Sequence, residues 1–271
     1  MPLSNRQSYM LGTSPSFAPG GPAMLPPHWS GPATQQPRRN TGINWGSRFA
    51  SGLVYAEHPA ASNPGRGSLQ TGFGLCYWGL KTPVPGVFFP SSLPALDGFT
   101  VMTVVYRRPT SPDGARGLCI RLTNNANSAG MELGIGAYNA NRNPAFSFAH
   151  QDYVAGLTLA PGDYLPPIPA EGDVHVLGGV FRRGQANGAK LFVNGKIAAS
   201  ATTQDLGLFS NGTHALFISD RSGAPEDSND RTPAMFGAVW SRGLSDAEMA
   251  ELSKNPWQLF NAPQQLQWGA P

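Results

Sequence analysis

Apolar and polar positions alternate along most of this chain in short runs, each cut off by glycine, proline or a polar cluster. The strongest run is Phe99-Thr-Val-Met-Thr-Val-Val-Tyr-Arg-Arg, where β-branched and aromatic residues follow one another until Pro109 ends them. Shorter runs of the same kind occupy residues 52–56, 73–78, 87–89, 117–122, 131–138, 145–149, 154–159, 174–181, 190–198, 215–219 and 234–240. Residues 60–72, 160–173 and 220–233 lack the pattern and read as loops. Residues 117–122 pair plausibly with 131–138 across the polar stretch 123–130, and 174–181 with 190–198 across 182–189. Asn194-Gly195 falls inside that last arm and suits a type I′ turn, which needs positive φ at both central residues. About a dozen short strands joined by turns predict an antiparallel β-sandwich.

One stretch has a helical period. In Ala234-Met-Phe-Gly-Ala-Val-Trp240 the residues Phe236, Ala238 and Trp240 share a strand face, and Gly243 breaks the strand. Ser245 then reads as a helix N-cap, with Glu248 completing a capping box and Leu244 and Met249 forming a hydrophobic staple. Asn255-Pro256 ends the helix, because proline disfavours helical backbone at the residue before it. The expected helix spans 245–254 and lies against one edge of the sandwich, with Trp257, Leu259 and Phe260 packed beyond it.

Three pieces carry a family resemblance. Arg242-Gly-Leu-Ser-Asp-Ala-Glu248 resembles the "R-x-L-S-x-x-E" close of the laminin-G / concanavalin A-like jelly-roll family, and Asn255-Pro-Trp-Gln-Leu-Phe260 resembles a variant common in bacterial viruses and prophages. Residues 174–198 are similar to the family's central strand pair with its "V-N-G" turn. Residues 44–56, Asn-Trp-Gly-Ser-Arg-Phe-Ala-Ser-Gly-Leu-Val-Tyr-Ala, are similar to the opening strand of the phage-type members. The resemblance spans roughly residues 42–262. It implies an all-β, concanavalin A-like (LamG-like) antiparallel β-sandwich with one short C-terminal helix.

Composition agrees. The 33 glycines and 26 prolines of 271 residues, with only 13% charged residues, favour many turns over long amphipathic helices. Residues 1–41 stand apart as an extended, proline-rich arm: eight prolines punctuate it and no periodicity runs through it. Yet Tyr9, Met10, Leu11, Phe17, Met24, Leu25 and Trp29 make it more apolar than a plain linker. No acidic residue precedes Glu57, whereas Arg6, Arg38, Arg39 and Arg48 do, so the net charge of +3 belongs to this end. An arm with apolar anchors and arginines is what a docking peptide looks like; the alternative is that it wraps its own body. Tyr9, Phe17, Trp29, Arg38 and Arg39 are the expected docking residues. The body spans 42–262, and 263–271 is a polar tail.

Candidate chemistry is sparse. Sandwich glycosidases need two carboxylates about 5–9.5 Å apart, and the family's hydrolases carry them as E-x-D-x-x-E, a run absent here. Glu132 stands alone on a strand, Glu171 and Asp173 lie in a loop, and Glu248 and Glu251 belong to the helix. His28, His58, His150, His175 and His214 show no zinc spacing, and there is no G-x-S-x-G elbow. Laminin-G-like domains often carry Ca²⁺ in an end loop. Asp220, Glu226, Asp227 and Asp230 share a loop with Arg221 and Arg231, without the D-x-[DN]-x-[DN]-G pattern, and read as solvated. Cys76 and Cys119 read as buried free thiols, a disulfide remaining the alternative. Trp78, Trp240 and Trp257 read as structural; Trp29, Trp45 and Trp268 are not placed by pattern.

No run is long enough to span a bilayer, the first residues lack a signal-peptide core, and no basic stripe suits nucleic acid. The expected protein is a non-enzymatic structural component of a tailed-bacteriophage virion, made in the host cytoplasm and anchored by its arm. It would be a capsid decoration or cement protein, or a tail or fibre component. Its partners would be other virion proteins in an oligomeric assembly, with no cofactor. The alternative is a carbohydrate-binding module for host surface glycan.

Overall fold

The computed structural model describes residues 42–58, 68–71, 74–77, 88–89, 97–106, 117–124, 128–135, 144–148, 157–159, 174–203, 214–218 and 234–260. The strongest strand of the sequence lies in the middle of the larger sheet: β5 (Gly98–Tyr106) pairs on one side with β10 (Val174–Arg182) and on the other with β14 (Ala234–Trp240). Beyond β10 lie β11 (Ala189–Val193) and β12 (Lys196–Ala201). Beyond β14 lie β3 (Gly74–Tyr77) and β2 (Ser68–Thr71), while β1 (Leu53–Glu57) pairs with the last residues of β14. The smaller sheet runs in the order β4 (Phe88–Phe89), β13 (His214–Ile218), β6 (Gly117–Asn124), β7 (Ser128–Ile135), β8 (Pro144–Phe148) and β9 (Leu157–Leu159). Every strand pairing among the described residues is antiparallel, and β8 carries its proline at the first position, where a missing N–H costs no ladder bond.

Successive side chains of a strand point to opposite faces, and in β5 both faces are buried. Phe99, Val101 and Val105 join Leu177, Phe181, Leu191 and Val239 of their own sheet and Met131, Leu133 and Phe146 of the smaller one, forming the core between the sheets. Met102 and Val104 face the other way, with Val176, Val180, Phe192, Phe236 and Trp240. That second apolar face has its own cover: the short turn Arg48–Ala50, the helix α1 (Asp246–Lys254) and the 3-10 turn Pro256–Leu259. The helix therefore does not lie against an edge as expected. It crosses the outer face over β10, because seven large apolar side chains there would otherwise meet water.

Two adjacent glycines allow β10 to be packed this closely from both sides. A Cβ on Gly178 would collide with the Cε of Met249 from α1, and one on Gly179 would collide with the ring of Phe146 from the smaller sheet. The Asn194-Gly195 turn has the expected positive φ, +49° and +78°, but it divides the predicted arm 190–198 into the two strands β11 and β12. Two further boundaries move: β2 falls inside the expected loop 60–72, and the expected loop 123–130 shrinks as β6 runs to Asn124 and β7 starts at Ser128. Finally, Ile43 bridges Phe260 and the Asn44 N–H donates to the Leu259 carbonyl at 2.7 Å, so the first and last described segments meet.

Candidate functional site

The turn from β14 into α1 gathers most of the charged side chains of the outer layer. Ser245 caps the helix: its hydroxyl accepts from the Glu248 N–H at 3.2 Å, and its own N–H donates to Glu248 Oε2 at 2.7 Å. Leu244 and Met249, the expected staple, are both fully buried. The Arg242 guanidinium grips the same carboxylate with both arms, at 2.6 and 3.1 Å, and donates from Nε to the Ser51 carbonyl at 2.7 Å. Thr100 on β5 fastens this turn to the sheet, donating to the Arg242 carbonyl at 2.8 Å and accepting from the Leu244 N–H at 2.9 Å.

Asp246, at the first helical position, receives Lys190 of β11 at 2.6 Å and lies 3.7 Å from the guanidinium of Arg182 at the end of β10. Arg182 also donates to the Leu244 carbonyl. Beside these groups opens a shallow cleft of about 490 Å³ lined by Arg182, Gly243, Ser245, Asp246, Ala247 and Glu248. Its two carboxylates stand at a helix N-terminus, where the macrodipole favours negative charge.

The Arg242 hydrogen bonds, aided by those of Ser245 and outweighing the opposing effect of burial, hold the Glu248 carboxyl down at about 2. A general acid needs a pKa near the working pH, and Glu248 has no proton to give there. By linkage, the stability this group contributes is complete above its ordinary value of 4.5 and is lost as pH falls toward about 2. The cleft presents the Arg182 guanidinium, the Asp246 and Glu248 carboxylates and one hydroxyl, that of Ser245. No cluster of three His, Cys, Asp or Glu that would hold a metal exists among the described residues.

The other end of α1 is apolar. Trp257, Leu259 and Phe260 are buried, as expected. Between them and β1 sits His58, also fully buried, its ring 4.6 Å from Phe260 and 6.0 Å from Trp257, both edge to face. Trp257 and Phe260 in turn meet Phe236 of β14 edge to face, with ring centres 5.8 and 5.9 Å away. Burial pushes the imidazole down to about 4, so it is neutral across ordinary pH.

The other sequence candidates scatter. Tyr9, Phe17, Trp29, Arg38 and Arg39 lie outside the described residues, as do Glu171, Asp173, Trp78 and the acidic loop with Asp220, Glu226, Asp227 and Asp230. Glu132 on β7 is in register with Arg121 on β6. His175 is buried on β10 with Nδ1 3.2 Å from Asn194 Nδ2. Trp240 is core, its indole N–H donating to the Phe49 carbonyl at 2.7 Å. Trp45 is half exposed. Cys76 and Cys119 lie on strands of different sheets. Arg182 and Lys190 escaped the sequence reading, because their partner is distant in sequence; the one local sign was a basic residue at each end of the 182–190 connection.

No protein-family profile matches the chain, and no curated protein matches it. Solved structures do. The binding domain of Paraclostridial Mosquitocidal Protein 1 superposes with a TM-score of 0.51 at 12% identity over 76% of this chain and 52% of that one. Trypanosoma rangeli sialidase superposes with a TM-score of 0.51 at 17% identity, over 76% of this chain and 33% of that one. The heptameric SAP-like pentraxin of Limulus polyphemus aligns at 12% identity over 66% and 79% of the two chains, with a TM-score of 0.43. The chain thus spans about half of the toxin binding domain and a third of the sialidase. The fold is a concanavalin A-like jelly-roll β-sandwich.

Proposed function

We propose that the chain is a glycan-binding module and not an enzyme. The cleft at the head of α1 carries this reading: its carboxylates are engaged by Arg242, Lys190 and Arg182, so it presents fixed charges beside the Ser245 hydroxyl, and Glu248 has no proton to give near neutral pH. The fold adds support, being shared with a toxin's binding domain and with a sialidase also solved with 2,3-difluorosialic acid, at a TM-score of 0.50 and 15% identity. A glycan array probed with the full chain tests it, followed by calorimetry on any glycan retained. Binding that weakens in Lys190→Ala, with the fold intact, supports the cleft as the contact surface. An array without retained glycan refutes the reading.

A second reading gives the module its setting: a component of a tailed-bacteriophage virion, joined to capsid or tail subunits by residues 1–41 through Tyr9, Phe17, Trp29, Arg38 and Arg39. It rests on the resemblance of residues 255–260 and 44–56 to the phage-type members of the family. The bridge between Ile43 and Phe260 favours it, because the arm's root is fastened to the body rather than left to swing. Deleting residues 1–41 should leave a folded body, by circular dichroism, that no longer enters particles. Normal incorporation would refute the docking role.

A further inference from the structure

Among the described tryptophans, Trp45 is the one that neither the core nor the cleft uses. Trp240 and Trp257 are fully buried, whereas the indole of Trp45 is half exposed. Single exposed apolar side chains are ordinary, but this one stands on a fixed base. The Asn44 N–H donates to the Leu259 carbonyl at 2.7 Å, the Trp45 N–H to the Ile43 carbonyl at 3.2 Å and the Ser47 N–H to the Asn44 carbonyl at 3.0 Å. The Ser47 hydroxyl then caps the turn Arg48–Ala50, accepting from the Phe49 N–H at 3.3 Å. An aromatic face held on such a base needs little further ordering when something binds to it. In the same turn Asn44 is 5% exposed and its Oδ1 accepts no hydrogen bond, an unmet acceptor that favours a donor-bearing ligand over an apolar one.

The segment Asn44–Ser51 runs beside α1. Past the tail of the helix Asn44 meets Leu259, along the helix Arg48 pairs with Glu251, and at the head the Ser51 carbonyl accepts from Arg242 Nε at 2.7 Å. Arg242 in turn holds Glu248, which lines the cleft. Trp45 and the cleft thus mark the two ends of one flank of the helix, with Arg48 and Glu251, both open to water, between them.

We infer that Trp45 is the stacking platform of an extended glycan site: one sugar ring lies on the indole, and the oligosaccharide continues along the flank of α1 to the cleft. This site rests on the glycan-binding reading and gives it a ligand class, an oligosaccharide, since a molecule that touches both ends of the flank is longer than one ring. A pyranose has a face of C–H groups and a rim of hydroxyls. The face matches an indole, which is broad and apolar with a polar N–H at its edge. The rim matches the guanidinium of Arg48 and the carboxylate of Glu251, whose hydrogen bonds are charge-assisted. Those two groups now pair with each other, but an exposed ion pair contributes little, so trading it for ligand hydroxyls costs little.

An array of immobilised oligosaccharides and their component monosaccharides, probed with the full chain and its variants, tests the platform. Trp45→Ala, folded by circular dichroism, should weaken retention roughly 10-fold, the loss of one aromatic stacking contact. Trp45→Phe should recover most of it, and a Phe variant as weak as the Ala variant overturns stacking. The monosaccharides should be held more weakly than the oligosaccharides; equal retention overturns the extended site. Retention unchanged in Trp45→Ala overturns the platform, and leaves the cleft standing where Lys190→Ala weakens it. An array that retains nothing overturns the glycan reading together with this one. Should Trp45→Ala fail to fold, the indole N–H resonance of Trp45 in the parent chain decides. A shift on adding the retained oligosaccharide supports the platform, and an unmoved signal overturns it.

Discussion

The two ends of α1 are held to the same sheet by different physics. At the head, Arg242, Lys190 and Arg182 meet Glu248 and Asp246 in pairs that water partly reaches. At the tail, Trp257, Phe260, Phe236 and His58 meet ring against ring with water excluded. Exposed ion pairs contribute about 0–1 kcal/mol each and fade with salt, whereas a buried aromatic side chain contributes several times that through the surface it removes from water. The head thus sets where the helix begins and which way it points, and the tail supplies most of the adhesion. A cleft can open at the head because the charged groups that line it contribute little of the fold's stability.

That contrast can be broken in graded steps. Trp257→Ala removes the largest ring of the tail and should cost about 3–5 kcal/mol, read as a lower urea midpoint; a loss comparable with a surface change would mean the tail adheres by other contacts. Gly178→Val drives a side chain into Met249, in the middle of the helix, and should cost about 1–3 kcal/mol by overpacking. A neutral result would show that α1 can lift off β10 freely. Ser245→Ala at the head should cost about 1 kcal/mol, and coincident midpoints for mutant and parent would contradict the capping box. Smallest of all, Arg48→Ala cuts an exposed pair with Glu251 and should shift stability by no more than about 0.5 kcal/mol, less still in high salt. A larger shift would mean that this pair is part of the tail's anchorage.

The head of α1 was legible in the sequence because its bonds are local: Ser245 to Glu248 and Leu244 to Met249 lie within one turn or so, where residue spacing alone sets geometry. The Asn194-Gly195 turn was legible for the same reason, though not that it divides one arm into two strands. What joins distant segments was not. Lys190 and Asp246 are 56 residues apart, and nothing near either announces the other. The position of the helix was recoverable in principle. Met102 and Val104 are as apolar as Phe99 and Val101, and a strand apolar on both faces demands a cover on each. Gly178-Gly179 was a second such sign, since paired glycines inside a strand mark close approach.

The bridge between Ile43 and Phe260 has a consequence of another kind. A sandwich whose first and last described segments lie side by side can be spliced into a surface loop of an unrelated host protein, because such ends ask the host for almost no separation. Such a graft leaves the host's own chain path nearly undisturbed, which is the condition under which domain insertion is tolerated.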